Sequence, residues 1–200
     1  MLTTRDFTLV ALLAALTAVG AYVAIPLGPV PFTLQPLFVM LAGLLLGWRL
    51  GGLSMIVYLV VGLVAPVYHG GTSGVGTLLG PTGGYLWGFV LGAMLSGVRA
   101  RCLLARGVWG FFIAALAGLV PVYGLGASWL AWQLHTTSFH IVLWGGVLQF
   151  LPLDVVKAFL AAVVCRALVA APLRLPVSAA RREGHRRATT GSSDTASGQR

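Results

Sequence analysis

The chain contains almost no charge between long apolar runs, and this feature limits what it can fold into more than any other. Charged residues make up 8% of its 200 residues and hydrophobic residues 58%, with a mean hydropathy of +0.93. A soluble domain carries roughly 25% charged residues. A chain this poor in charge cannot cover a water-facing surface, so its exterior must meet lipid. Within hydrocarbon every backbone polar group has to be satisfied internally, which leaves helices or a closed barrel. The apolar runs are continuous rather than alternating, so they read as helices.

A crossing helix needs about 20 apolar residues. The runs are 7–25, 35–48, 51–67, 84–98, 108–132 and 152–171, the last with a possible backward extension over 141–150. The fold class expected is all-α: a polytopic membrane protein of six transmembrane helices. The domains expected are a six-helix membrane domain over 1–171 and a basic, disordered cytoplasmic tail over 172–200, rich in Arg, Ser, Thr and Gly.

The net charge of +9 does not point to nucleic acid, because the Arg residues flank the apolar runs instead of forming a face. Arg5, Arg49, the group Arg99, Arg101 and Arg106, and the C-terminal arginines all fall on one side when spans are counted. The alternate loops, 26–34, 68–82 and 133–139, contain no Lys or Arg. The positive-inside rule then places both termini in the cytoplasm and those three loops outside. Cleaving the first run as a signal peptide would reverse this pattern, so it is read as a retained span. Cys102 and Cys165 each neighbour an Arg at the cytoplasmic edge, where a disulfide is not expected. No Cys/His ligand spacing exists, so no metal site and no cofactor are expected.

One acid and one lysine fall inside the apolar runs, Asp154 and Lys157. Their spacing of three puts them on one helix face. Ionisable groups at such depth face either a polar cavity or each other. Pro152 suits a first helical turn, so Asp154 lies near the helix N-terminus, on the external side. The stretch HGGTSGVGTLLGPTGG, from His69 to Gly84, reads either as a flexible loop or as backbone that lets a ligand approach closely. Thr72, Ser73, Thr77 and Thr82 supply hydroxyls there, and Tyr85 and Trp87 supply aromatic walls. No phosphate-loop pattern is present. Gln35, at the outer end of the second run, is either a cap residue or a ligand contact. Ala11, Ala14, Ala15 and Ala18 form a small-residue face on the first run, suited to close helix approach by a partner or by a neighbouring span.

These pieces resemble the BioY family, the biotin-specific S components of energy-coupling factor (ECF) transporters. The resemblance is carried by PVPFTLQ (Pro29–Gln35), by GGTSGVGTLLGPTGGYLWGF (Gly70–Phe89), by LPLDVVKA (Leu151–Ala158) and by the alanine face of the first span. It runs over roughly residues 5–170. Leu153 departs from the glycine that many relatives place there. The resemblance implies a six-helix bundle whose external loops enclose biotin, with Asp154, Lys157, Gln35, Thr33, Gly71, Thr72, Gly83, Gly84 and Tyr85 as substrate-binding residues. It implies docking on an ECF transmembrane coupling subunit through Ala11, Ala14, Ala15 and Ala18, with paired ATPase subunits beneath, in a multi-pass inner-membrane setting. No catalytic residue is expected.

Three other readings compete. An S component for another vitamin would share the fold without the Asp154–Lys157 pair. Gly71-Thr72-Ser73-Gly74 matches the G-x-S-G of rhomboid intramembrane proteases, with His140 as the base, but leaves that pair unused. A self-sufficient secondary transporter would show internal repeats, and none is visible.

Overall fold

A computed structural model describes residues 3–26, 30–103, 106–135 and 142–170. The expected tail over 172–200 lies outside the described residues, as does His140.

The first helix, α1 (Thr4–Tyr22), begins a turn earlier than its apolar run. Thr3 and Asp6 close a capping box: the Thr3 hydroxyl accepts from the Asp6 N–H at 3.3 Å, and the Asp6 carboxylate accepts from the Thr3 N–H at 2.9 Å. Two orphan donors are satisfied in this way. After α1 the chain does not form a plain loop. Strand β1 (Ala24–Pro26) pairs antiparallel with β2 (Pro31–Thr33), with Ala24 opposite Thr33 and Ile25 opposite Phe32. A short ribbon thus accompanies the helices without changing the all-α class. Its strands are three residues long, with proline at the pairing edge, and so leave no alternation to read.

Helix α2 (Gln35–Gly62) takes in the second apolar run and the third as far as Gly62, with non-helical backbone at Gly47 (φ 79°, ψ 179°). A side chain would strain that left-handed φ. The two limbs, 35–46 and 48–62, fold back on each other there. A Cβ at Gly51 would stand 2.9 Å from the Ala42 carbonyl oxygen. The Gln35 amide reaches the Tyr58 hydroxyl at 2.5 Å across 23 residues, which in one straight helix would be about 34 Å apart. The expected loop around Arg49 is therefore a glycine break, and Arg49 is an exposed residue of the second limb, with its guanidinium 4.9 Å from the Trp48 ring centroid.

The glycine-rich stretch is ordered. It contains a 3₁₀ turn (His69–Gly71) and a short helix α3 (Val75–Leu79). It is tied down by the Gly74 N–H on the Gly62 carbonyl (2.8 Å), the buried Tyr68 hydroxyl on the Leu59 carbonyl (2.6 Å) and the Trp129 indole N–H on the Gly80 carbonyl (3.0 Å). Helix α4 (Gly83–Leu103) packs on α5 (Gly107–Gln133) and on α2. Gly84, Gly88 and Gly92 repeat every four residues and form the α4 contact face. A Cβ at Gly88 would lie 2.8 Å from the Val122 Cα, and one at Gly92 would lie 2.8 Å from the Gly118 carbonyl oxygen. This spacing brings two backbones together as small-residue stripes do in lipid. A π-helical turn (Trp144–Leu148) leads into α6 (Leu151–Ala170), which packs on α5 and α2.

Among the described residues, three helices, α1, α2 and α5, are long and apolar enough to cross a membrane. The outer surface carries exposed Val64, Val120, Trp109, Trp132 and Leu160 among other large apolar side chains. Exposure of that extent is costly against water and suits hydrocarbon.

Candidate functional site

A cleft of about 520 Å³, counted out to its open mouth, lies between the ribbon, the start of α2, the first turns of α4, the middle of α5 and the first turns of α6. Asp154, Lys157, Gln35, Thr33 and Tyr85 line it. They come from four separate elements.

Asp154 and Lys157 are 3% and 4% exposed and form a salt bridge of 2.5 Å. The Lys157 ammonium also donates to the Thr33 carbonyl at 2.6 Å and stands 3.7 Å from the Phe32 ring centroid. Two of its three donors are thus committed, and an aromatic face attracts the remaining charge. The other Asp154 oxygen accepts from the Tyr123 hydroxyl at 2.7 Å. A carboxylate has about four lone-pair sites, so Asp154 retains acceptor capacity toward the cleft. An ion pair this deep is tolerable only with such a surround of hydrogen bonds.

Gln35 is buried and joins the ribbon to the second limb of α2. Its Oε1 accepts from the Thr33 hydroxyl at 3.0 Å, and its Nε2 donates to the Tyr58 hydroxyl, which donates onward to the Val67 carbonyl at 3.1 Å. Gln35 lines the cleft with one bond at each end of its amide, which leaves one N–H and one Oε1 lone pair uncommitted. Tyr85 presents its ring to the cleft and anchors its hydroxyl on the Gly146 carbonyl at 2.8 Å. Its ring meets Tyr123 edge-on at 6.5 Å. Gly126 leaves it room: a Cβ there would stand 2.6 Å from the Tyr85 Cγ.

Four of the substrate-binding residues implied by the resemblance stand apart from the cleft. Gly83 and Gly84 face Leu78, Leu125 and Trp129 in helix packing. Thr72 is exposed and donates to the His69 carbonyl at 3.0 Å, and Gly71 lies beside it in the 3₁₀ turn. Ser73 is exposed and likewise does not line the cleft. Among the described residues, no three His, Cys, Asp or Glu side chains gather as a metal site would require. Sequence reasoning missed Tyr123, Phe32, Phe150 and His69 as lining residues. Tyr123 left one signal, a phenol two residues after Pro121 inside an otherwise apolar run.

A second cleft, apolar and about 600 Å³ counted to its mouth, runs along α1 and is lined by Ala11, Ala14, Ala15 and Ala18 with Val57, Tyr58, Val61 and Val67. Ala14 is buried, Ala18 half-buried, and Ala11 and Ala15 exposed.

The chain is similar to known proteins over most of its length. A profile described as the BioY family matches residues 1–173. A protein of Pyrococcus horikoshii named probable biotin transporter BioY is 40% identical over 82% of this chain and 96% of its own. The biotin transporter BioY of Thermotoga maritima is 37% identical over 80% and 93%, and that of Rhizobium etli 38% over 89% and 100%. Among solved structures, the S-component for biotin from an ECF-type ABC transporter superposes with a TM-score of 0.76 at 31% identity, covering 84% of this chain and 94% of that one. With an apolar helical bundle, an Asp–Lys pair at the head of its last described helix and a family match over residues 1–173, this chain belongs to the BioY family.

Proposed function

We propose that the chain captures biotin outside the cell as the substrate-binding S component of an ATP-driven ECF transporter. The observation that carries this reading is the buried Asp154–Lys157 pair at the cleft, held by Tyr123 and the Thr33 carbonyl. Biotin offers two ureido N–H donors, one ureido carbonyl, an apolar fused ring and a carboxylate tail. Asp154 has acceptor capacity for a ureido N–H, worth roughly 1.5–3 kcal/mol as a charge-assisted bond. Phe32, Tyr85, Phe89 and Phe150 supply apolar walls for the fused ring. Thr33 and Gln35 belong to the site as the residues that fix the ribbon against α2. Gly71, Thr72, Gly83 and Gly84 shape it from behind through the loop and the α4–α5 contact.

The proposed setting is the inner (cytoplasmic) membrane, crossed six times: by α1, the two limbs of α2, α4, α5 and α6. The Arg-free alternate loops support cytoplasmic termini. The basic segment over 172–200 is proposed as a cytoplasmic tail. The alanine cleft on α1 is proposed to seat the transmembrane coupling subunit, above paired ATPases. Capture needs no cofactor and no catalytic residue.

The test is calorimetric titration of detergent-purified protein with biotin. Asp154→Asn keeps the size but loses the charge and leaves Lys157 unpaired, for an expected loss of about 2–4 kcal/mol, or about 30-fold to 1,000-fold in affinity. Ser73→Ala should cost under about 1.5 kcal/mol. Unchanged binding by a folded Asp154→Asn protein would overturn the assignment, and so would a peptide-cleaving activity that Ser73→Ala abolishes.

A further inference from the structure

The cleft holds a second polar pole that the ion pair does not use. His69 is half-buried in its wall, with Nε2 3.1 Å from the hydroxyl of Thr82, which lines the same cleft. We propose that His69 and Thr82 receive the carboxylate of the captured ligand, and that protonation of His69 makes capture tighter in acid. This inference rests on the biotin reading above.

The argument is a count of donors. A carboxylate drawn out of water needs hydrogen bonds or a cation to replace its hydration. The loops read as external contain no Lys or Arg. Lys157 is committed to Asp154, to the Thr33 carbonyl and to the Phe32 ring. The Tyr123 and Tyr85 hydroxyls donate to Asp154 and to Gly146, and Gln35 gives one amide N–H to Tyr58 and keeps one uncharged N–H. Among the described residues, the side chains of His69 and Thr82 bond only to each other, and His69 Nδ1 has no hydrogen-bond partner. When Nε2–H donates to Thr82, the Thr82 hydroxyl proton is free to point at an anion. When the imidazole takes a second proton, Nδ1–H becomes a further donor and the pair gains a positive charge.

The other ionisable groups of the cleft do not compete for this role. Asp154 and Lys157 on α6 neutralise each other. Tyr85 on α4 and Tyr123 on α5 line the cleft, Tyr68 adjoins His69 in sequence, and Tyr58 on α2 stacks edge-on with Tyr68. Phenols ordinarily titrate near about 10. Burial holds the free His69 imidazole below its ordinary range, since the charged form loses hydration. A bound carboxylate reverses that preference. Affinity for an anionic ligand therefore rises as pH falls through the histidine range, while the ligand's own carboxyl, with a pKa near about 4.5, stays ionised.

The experiment titrates the purified full chain with biotin and with biotinamide, its uncharged analogue, at about pH 7.5 and about pH 5.5. Biotin should gain roughly tenfold in affinity in acid, and biotinamide less than about twofold. His69→Gln keeps a hydrogen-bonding side chain that cannot take a proton, and should abolish the acid gain for biotin. Thr82→Val should weaken biotin several-fold at both values and biotinamide little. The wild-type comparison decides even if a variant misfolds: no acid gain for biotin, or an equal gain for biotinamide, overturns the assignment. An acid gain that persists in His69→Gln overturns it too. If the wild type binds biotin without any of these effects, the capture reading stands and this inference alone fails. If it binds neither ligand, both fall.

Discussion

Tyr123, midway along α5, donates its hydroxyl to Asp154 at the head of α6 at 2.7 Å, across 31 residues of sequence. The bond occupies the carboxylate oxygen that Lys157 does not hold, so the acid is fixed from two sides. Tyr123→Phe removes this donor and keeps the ring. With biotin capture as the function, the variant should fold and lose roughly 1.5–3 kcal/mol of binding, or about tenfold to 150-fold. Titration calorimetry with a melting curve checks it, and wild-type affinity would show that Asp154 needs no second support.

The ion pair gives a cycle with a sign. Lys157→Met leaves a buried carboxylate without its cation, a change worth about 3–5 kcal/mol of stability. Adding Asp154→Asn to it removes the uncompensated charge. The double variant should therefore melt above Lys157→Met alone, although neither should bind biotin well. A double variant that melts lower than the single would mean the charges are not the main cost.

Burial divides the alanine face. Ala14 is buried against the core, whereas Ala15 is exposed at the cleft. Ala14→Trp should overpack the bundle and reduce both folding and ligand binding, at about 1–3 kcal/mol or more. Ala15→Trp should leave biotin binding unchanged and abolish co-purification with the coupling subunit. Retained assembly in a folded Ala15→Trp protein would move the docking surface elsewhere.

Orientation is testable with the native thiols. Cys102 is exposed and Cys165 buried, and neither is in a disulfide. In intact cells an impermeant maleimide should spare the wild type, because Cys102 follows Arg101 on the arginine side. It should label Thr72→Cys, at an exposed position in the glycine-rich segment. Labelling of the wild type from outside would invert the topology.

Much of this protein was legible from its sequence because the physics concerned is local. Lipid requires helices from continuous apolar runs, and the runs match α1, α4 and α5 to within a few residues, apart from the α4 C-terminus, which continues past Arg99 and Arg101 to Leu103. A spacing of three places Asp154 and Lys157 on one turn whatever surrounds them. The alanines of α1 share a face for the same reason. What the tertiary structure alone decided depends on groups distant in sequence. Lys157 meets the Thr33 carbonyl across 124 residues, and the ribbon that presents this carbonyl is too short to leave a pattern. Glycine is the plainest case: the residue type is the same at Gly47, where the backbone reverses, at Gly84, where α4 meets α5, and at Gly126, where the Tyr85 ring needs space. An absent side chain carries no record of what fills its place, so only the packed bundle assigns each glycine its role.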